Sequence, residues 1–358
     1  MLRMILALIL SAAIVLLTGP KFIAWLRKLK LGQTIYELGP QSHQKKQGTP
    51  IMGGLIIALG CVVSFIVSGV GCALSAKQDV MVMSFAWDHM LALLFVALGS
   101  MAVGFGDDWI KMVKKRHEGL TPWQKIIGQA VVCVGFAMYC YLHPEVGSKV
   151  IIPFTNVEWD LGVFYIPLLA LTVLFMVNSA NLQDGLDGIL SSVTAVGCIG
   201  WAGIALIMVD FCHSANEKFQ FPPEWEGLFN TIAIFAVCLC GACIGFLRFN
   251  HYPATVFMGD TGSMFIGGAV VGMAMLLRQP FLLLLIGFTM VMSSVSVILQ
   301  RYYFKLTRKL TGTPKRLFKM SPIHHHFEMC GMKETQIVLM YAVVTLVLSA
   351  IAVLSVLI

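Results

Sequence analysis

Long apolar stretches, separated by short polar segments, dominate the sequence. Ten such stretches are present, at approximately 4–26, 51–71, 89–106, 124–142, 163–180, 189–209, 230–247, 263–277, 281–300 and 335–357. Because a helix needs roughly 20 apolar residues to cross a bilayer, this pattern predicts about ten transmembrane helices. The first stretch continues past Gly19-Pro20 into a basic segment without a small-residue cleavage site, so it is interpreted as a helix and not as a signal peptide.

The composition excludes a water-soluble domain. Of 358 residues, 58% are hydrophobic and 12% are charged, and the mean hydropathy is +0.83. A soluble protein carries more polar residues than this, because its surface must contact water. We therefore predict an all-α integral membrane protein with a single polytopic domain over residues 1–358.

Lysine and arginine are distributed unevenly between the two predicted faces. Ten spans place both termini on one side, and 20 of the 25 basic residues then fall on the opposite side, in 21–46, 111–125 and 301–333 and at Arg248. By the positive-inside rule that side is cytoplasmic, and both termini are extracytoplasmic. The predicted cytoplasmic loops are about 27–50, 107–123, 181–188, 248–262 and 301–334. The net charge of +7 therefore mostly reflects the basic residues that set the orientation of the chain in the membrane. It does not indicate nucleic acid binding.

Two further features have structural interpretations. The ten cysteines lie mainly inside predicted spans, where cysteine acts as a small apolar residue. Residues 150–152 and 157–159 are rich in strand-forming side chains and flank a Pro-containing segment, which predicts a short β-hairpin outside the membrane.

Acidic side chains concentrate at the predicted cytoplasmic ends of spans, and an acid near lipid indicates function because burying its charge is costly. They are Asp107, Asp108, Asp184, Asp187 and Asp260. If the third helix continues past its span, Lys111 lies within reach of Asp107 and Asp108; the alternative is an interfacial ion pair that ends the helix. For Asp260, followed by Thr261 and Ser263, the alternative is an N-cap.

Asn178, Asn181, Asp184 and Asp187 recur at every third position. On a helix this spacing drifts around the axis, so at most three of the four share a face. Gly185 and Gly188 predict that the helix opens here.

Three acidic clusters on one face predict a divalent-metal site. Carboxylate and amide oxygens favour Mg²⁺, with Mn²⁺ as a substitute, and Mg²⁺ commonly binds together with substrate phosphates. Lys46 and Lys111 border Gly-rich and acidic motifs, which favours phosphate chemistry at this face.

A triplet of histidines occupies positions 324–326, within Pro322-Ile-His-His-His-Phe-Glu328. Three adjacent side chains cannot all point in one direction. Zinc is disfavoured because no further His or Cys ligand set accompanies them. Binding of a phosphate, a sugar or a base is the preferred hypothesis.

Together these motifs, from about residue 45 to residue 328, resemble the polyprenyl-phosphate N-acetylhexosamine-1-phosphate transferases. The resemblance implies transfer of phospho-MurNAc-pentapeptide from UDP-MurNAc-pentapeptide to undecaprenyl phosphate, giving lipid I and UMP for peptidoglycan synthesis. It also implies a magnesium-dependent, multi-pass protein of the bacterial inner membrane and a homodimer. Ile51 stands where the family usually has Thr, so a hydroxyl contact is not expected there.

The resemblance further implies residue roles. Asp260 and Asp184 would bind the metal, and Asp107 and Asp108 would orient or deprotonate the lipid phosphate with help from Lys111. The implied substrate-binding residues are Lys46, Asn178, Asn181, Gly185, Asp187, Asn250, Phe257, His324, His325 and His326.

Three alternative functions remain at this point. One is a related enzyme that transfers GlcNAc-1-phosphate to a polyprenyl phosphate. Another is a transporter or lipid flippase, which typically places polar groups near the bilayer midplane, whereas the acids of this chain lie at one end of the spans. The third is a non-catalytic scaffold, for which Asp260 would be dispensable.

Overall fold

The computed structural model describes residues 2–29, 46, 48–76, 85–114, 119–155, 157–213 and 221–357. Residues 30–45 of the first predicted loop lie outside this part of the chain. In the described part the helices are α1 Leu2–Lys28, α2 Gly54–Ala76, α3 Trp87–Lys114, α4 Pro122–Leu142, α5 Tyr165–Gln183, α6 Ile189–His213, α7 Glu226–Asn250, α8 Gly259–Leu276, α9 Leu283–Ile286, α10 Phe288–Thr311, α11 Ile323–Met329 and α12 Glu334–Leu357.

Among the described residues, nine helices are long and apolar enough to cross a membrane. The stretch predicted at 281–300 is not one straight helix. It comprises Pro280–Ile286 and α10, which meet at Gly287 with a bend of 86°, and counting the bent pair as one span gives ten. The predicted all-α membrane architecture is confirmed, and the break at Gly287 is the feature that hydropathy alone did not predict.

The predicted hairpin is present. Strands β1, Lys149–Ile152, and β2, Val157–Asp160, pair antiparallel, with Val150 opposite Trp159 and Ile151 opposite Glu158. The Ile151 backbone N–H donates to the Arg278 carbonyl over 2.8 Å, and the Arg278 guanidinium lies 2.7 Å from the Glu158 carboxylate. These contacts attach the hairpin to the end of α8.

Helix α8 forms the centre of the protein. Every residue from Thr261 to Leu276 is buried. The helix packs closely against α3 and α5, and its small residues permit this approach, as is common between membrane helices. At Gly268, a side-chain Cβ would lie 2.6 Å from the backbone oxygen of Val96 in α3.

The outer helices expose apolar side chains, as a lipid environment requires. Leu17, Val131 and Leu339 are 76%, 68% and 65% exposed, respectively. In water such a surface would drive association, whereas lipid tails solvate it. The protein is therefore a multi-pass membrane protein.

Replacing Gly268 with Ala is expected to lower the free energy of unfolding by about 1–3 kcal/mol, because the added methyl group overpacks the contact between α8 and α3. Thermal unfolding in detergent measures this change. Gly71→Ala is the matched control, since a Cβ there meets nothing within 4 Å. Equal stability of the two variants would contradict the close approach.

Candidate active site

Three carboxylates meet where the end of α3 contacts the start of α8. Asp107 and Asp108 belong to α3, which continues to Lys114, and Asp260 lies in the first turn of α8. One oxygen from each residue can be chosen so that all three lie within 4.8 Å of one another. These three residues form the acidic cluster.

Two lysines contact the acidic cluster. The Nζ atom of Lys111 lies 2.6 Å from Asp107 Oδ2, 3.9 Å from Asp108 Oδ1 and 3.1 Å from Asp260 Oδ2. The Nζ atom of Lys125 in α4 lies 3.0 Å from the same Asp260 oxygen. The two ammonium groups offset the repulsion among three negative charges. The contact of Lys111 with both aspartates of α3, predicted from their spacing, is present.

Asp108 holds the start of α8 in place. Its Oδ2 atom accepts hydrogen bonds from the Thr261 backbone N–H over 2.9 Å and from the Thr261 hydroxyl over 2.7 Å, and its Oδ1 atom accepts from the Asp260 N–H over 3.2 Å. A carboxylate satisfies the free N–H groups of a helix N-terminus well. The capping group is therefore Asp108 of α3, and Asp260 is free to face Lys111 and Lys125.

Gly259 makes this docking possible. It has a φ of +73°, a left-handed conformation that glycine adopts without steric cost. A Cβ at this position would also lie 2.6 Å from Asp108 Oδ2. A larger residue would therefore be strained and would push Asp108 away from α8.

The polar run from Asn178 to Asp187 crosses the end of a helix, as its glycines predicted, because α5 ends at Gln183 and α6 begins at Ile189. Asn181 joins the acidic cluster, since its Nδ2 donates to Asp260 Oδ1 over 2.8 Å. Asn178 instead pairs with Gln129 of α4, donating to its Oε1 over 3.0 Å. The two asparagines therefore serve different contacts.

Asp184 follows α5 directly. It lies outside the group of three carboxylates within 4.8 Å, but burial, together with the negative charges of Asp260 and Asp108, raises its pKa to about 8. This electrostatic interaction with the acidic cluster is of the kind expected near a metal site, where an added positive charge favours the ionised acid.

A second polar group forms around Lys46. Its Nζ atom lies 2.7 Å from Asp187 Oδ1 and 2.6 Å from Glu334 Oε1. Burial by itself lowers the pKa of the Lys46 ammonium, but the hydrogen bonds from Asp187 and Glu334 outweigh this and leave it raised. The other Asp187 oxygen accepts from the Ala254 N–H over 2.9 Å, which ties the loop after α5 to the loop before α8.

This group lines a cavity of about 620 Å³, here named the Lys46 cavity. Its other lining residues include Tyr252, Glu328 and Lys333. Lys46 Nζ also lies 5.7 Å from the centre of the Tyr252 ring. The cavity thus offers an aromatic face and several polar side chains, a set that can hold a polar ring by stacking and hydrogen bonds.

Two of the three adjacent histidines face the loop between α5 and α6. His324 and His325 are buried, and their rings are 4.3 Å apart. At Gly185, an added Cβ would lie 3.0 Å from His325 Nε2 and even closer to His324 Nε2, so a larger residue there would displace the histidine rings. His326 points elsewhere and accepts a hydrogen bond from the Lys319 N–H over 3.1 Å. The three histidine side chains therefore do not all point in one direction, as expected from their adjacent positions.

Asn250 and Phe257 lie in the segment that leads into α8. Asn250 is buried, and its Nδ2 donates to the Val256 carbonyl over 3.0 Å. The Phe257 N–H donates to the Pro50 carbonyl, and its own carbonyl accepts from the Gly53 N–H, each over 2.8 Å. Among the described residues, these hydrogen bonds hold the backbone before α8 against the backbone of residues 50–53, next to residues that line the Lys46 cavity. Ile51 is 7% exposed, consistent with an apolar residue at that position.

Two residues of these polar groups, Lys125 and Glu334, were not predicted from the sequence. Lys125 follows a capping box in which Thr121 and Gln124 bond reciprocally, and the Thr-Pro-Trp-Gln pattern could have located this helix start. Glu334 immediately precedes the last predicted span, on the same predicted face as the other acids, and lies in the first turn of α12. Both signals were present, but neither shows which residue the side chain contacts.

Comparison with known proteins identifies the family. Residues 90–278, just over half of the chain, match the family described as Glycosyl transferase family 4. A protein of Halalkalibacterium halodurans named phospho-N-acetylmuramoyl-pentapeptide-transferase is 41% identical over 350 residues, covering 98% of this chain and 96% of its own. A protein of the same name from Clostridium kluyveri is 38% identical, covering 99% of this chain and 100% of its own. Another of that name from Clostridioides difficile is also 38% identical, covering 97% of this chain and 96% of its own. The chain belongs to the phospho-N-acetylmuramoyl-pentapeptide-transferase family.

The matched family region covers only part of the polar groups described above. In this phospho-N-acetylmuramoyl-pentapeptide-transferase family member, residues 90–278 contain the whole acidic cluster and Asp187. Lys46, Glu334 and the three histidines lie outside this region but inside the full-length similarity to the named relatives. The Lys46 cavity therefore combines residues from within and outside the matched region.

Replacing Asp108 with Asn is expected to lower the free energy of unfolding by about 1–3 kcal/mol, because an amide donor replaces one oxygen that accepts from Thr261 or Asp260. Thermal unfolding in detergent measures the loss. Asp210→Asn, an exposed acid near the end of α6, is the control and should leave stability unchanged. If both variants unfold alike, Asp108 does not support α8.

Proposed function

We propose that this chain transfers phospho-MurNAc-pentapeptide from UDP-MurNAc-pentapeptide to undecaprenyl phosphate, forming lipid I and releasing UMP. Full-length similarity to relatives named for this transferase supports the reaction. The observation that carries the proposal is the acidic cluster with its two lysines, close to the Lys46 cavity. It combines the groups that phosphoryl transfer between two anions requires.

The proposed site lies at the cytoplasmic edge of the bacterial inner membrane. The excess of Lys and Arg on this face supports that orientation. One substrate is a soluble nucleotide and the other is a lipid, so both can reach only a site at the membrane boundary. A homodimer is part of the proposal by family resemblance.

The acidic cluster has the donor set for a magnesium ion. Its carboxylates, the neighbouring Asn181 amide and Asp184 offer oxygen ligands, which hard divalent cations prefer. Asp260 and Asp184 would hold the ion, and Mn²⁺ is the expected substitute. When bound, such an ion neutralises charge on the diphosphate and on the departing UMP.

The residues of the chain supply the remaining requirements. An oxygen of the lipid phosphate attacks the sugar-linked phosphorus, a new P–O bond forms, and the bond from that phosphorus to UMP breaks. Lys111 and Lys125 are placed beside Asp260, where their ammonium groups can face phosphate oxygens. Asp107 orients the attacking phosphate, which is largely ionised near neutral pH and so needs little help from a base.

The Lys46 cavity is the proposed nucleotide site. Lys46 and Asp187 line it directly, and Gly185, Asn250 and Phe257 belong to the segments that border it. His324 and His325, packed against Gly185, are proposed to contact the sugar-phosphate part of the substrate. Asn178 and Asn181 support the pyrophosphate side of the site, and His326 supports the loop that carries the other two histidines.

Asp260→Asn is expected to reduce turnover at least ~100-fold, since it removes a proposed metal ligand and the partner of two lysines. Release of UMP from UDP-MurNAc-pentapeptide, with undecaprenyl phosphate as acceptor, measures the rate. Chelation with EDTA should abolish activity, and Mg²⁺ should restore it in the wild type.

Asp160→Asn is the matched control, because Asp160 lies in the β-hairpin, which is attached after the end of α8, whereas Asp260 lies at the start of that helix. Product formation by Asp260→Asn at the wild-type rate, or full activity in EDTA, would refute metal-assisted transfer. Lipid product from UDP-GlcNAc but none from UDP-MurNAc-pentapeptide would instead establish the alternative sugar donor.

Lys46→Ala is expected to raise KM for UDP-MurNAc-pentapeptide about 10- to 100-fold, because a charge-assisted contact is lost. KM for undecaprenyl phosphate should change little. Lys309→Ala, which removes an exposed lysine of α10, is the control for general loss of positive charge. An equal rise in both KM values for Lys46→Ala would argue against a nucleotide site in the cavity.

A further inference from the structure

A second group of metal-ligating side chains lies at the other end of α3. Asp88, His89 and His143 can each offer one ligand atom, and these atoms lie within 4.8 Å of one another. Asp88 lies 19 residues before Asp107 in α3, so at about 1.5 Å per residue the two groups are ~28 Å apart along the helix. This is close to the roughly 30 Å thickness of the hydrocarbon core, so the group lies towards the opposite membrane face from the acidic cluster.

The two imidazoles are close together and firmly held. The His89 and His143 rings are 4.3 Å apart. His143 Nε2 lies 2.8 Å from Asp88 Oδ2, and His89 Nδ1 lies 2.8 Å from the Tyr139 hydroxyl. Residues from the start of α3 and from the end of α4 thus converge on one small volume.

Glu145 supplies the support that metal-binding histidines usually have. Its Oε2 lies 2.6 Å from His89 Nε2, the ring nitrogen opposite Tyr139. When a carboxylate accepts the proton of one ring nitrogen, the other nitrogen keeps a lone pair that can bind a cation. His89 itself is fully buried, so its ring orientation is set by the fold.

Access and ligand type favour a transition metal. The Asp88 side chain is 53% exposed and that of His143 is 21% exposed, which leaves a path from solvent. Two imidazoles with one carboxylate suit Zn²⁺ and related ions, whereas Mg²⁺ prefers oxygen ligands alone. The chemistry therefore differs from that of the acidic cluster.

We propose that Asp88, His89 and His143 form a zinc-type metal site on the face opposite the acidic cluster, with Glu145 orienting His89 and Tyr139 or water completing the coordination. Such a site joins the start of α3 to the end of α4. It is independent of the transferase reaction proposed above.

Zn²⁺ titration of the full-length protein in lipid nanodiscs, with excess Mg²⁺ throughout, tests the site. We expect saturation at one Zn²⁺ per chain, and affinity at least ~10-fold weaker in His143→Ala and in Asp88→Asn. Co²⁺ in place of Zn²⁺ should give visible absorption bands that His143→Ala removes. Thermal unfolding without metal verifies that the variants fold.

The chain offers two matched controls. His213 is exposed and lies 3.1 Å from the Glu226 carboxylate, a pair with one imidazole, so His213→Ala should leave Zn²⁺ binding unchanged. Asp260→Asn should also retain it, since that residue belongs to the acidic cluster. The proposal is wrong if the wild type shows no saturable binding, if His143→Ala binds as tightly as the wild type, or if either control loses the ion.

Discussion

The hydrogen bonds from the first turn of α8 to Asp108 are the interaction on which the polar face depends. Both carboxylate oxygens are used, by Thr261 and by the Asp260 N–H. Because α8 is buried along nearly its whole length, its position determines that of the helices around it. A single carboxylate of α3 thus places Asp260 beside Asp107 and Lys111, while the Leu120 backbone N–H, in the loop after α3, donates to Asp107 Oδ1 over 2.8 Å.

Close helix packing makes that arrangement rigid. Near the acidic cluster, a Cβ at Gly104 of α3 would collide with the Asp260 backbone. Deeper in the protein, Gly268 brings α8 against α3 in the same way. Small residues at these contacts hold the two helices at a short distance over several turns, since lipid provides no hydrophobic force to press helices together. The cluster of charges is therefore carried by well-packed helices.

The loop between α5 and α6 connects the acidic cluster with the Lys46 cavity. Burial and the negative charges of the acidic cluster raise the pKa of Asp184. Gly185 packs against the two buried histidines, and Asp187 forms an ion pair with Lys46. Three side-chain environments follow one another within four residues because the helix ends at Gln183. The loop between α5 and α6 therefore links the two polar groups through the backbone of a few consecutive residues.

The sequence by itself determined the features that depend on local pattern. Hydropathy located the spans, the spacing of Asp107, Asp108 and Lys111 on one helix predicted their contact, and Gly185 with Gly188 predicted the end of α5. The paired strands of the hairpin followed from strand-forming residues around a turn.

Only the tertiary structure decided which distant residues meet. Asp260 was considered as its own helix cap, whereas the cap is Asp108, 152 residues earlier in the chain. Lys125 contacts the acidic cluster and Glu334 contacts Lys46 because of how α4 and α12 pack. The apolar stretch at 281–300, which is uniform in hydropathy, is bent at Gly287. Helical period and hydropathy describe a segment and its solvent, but the partner of a side chain depends on how whole helices pack, and that is a property of the complete fold.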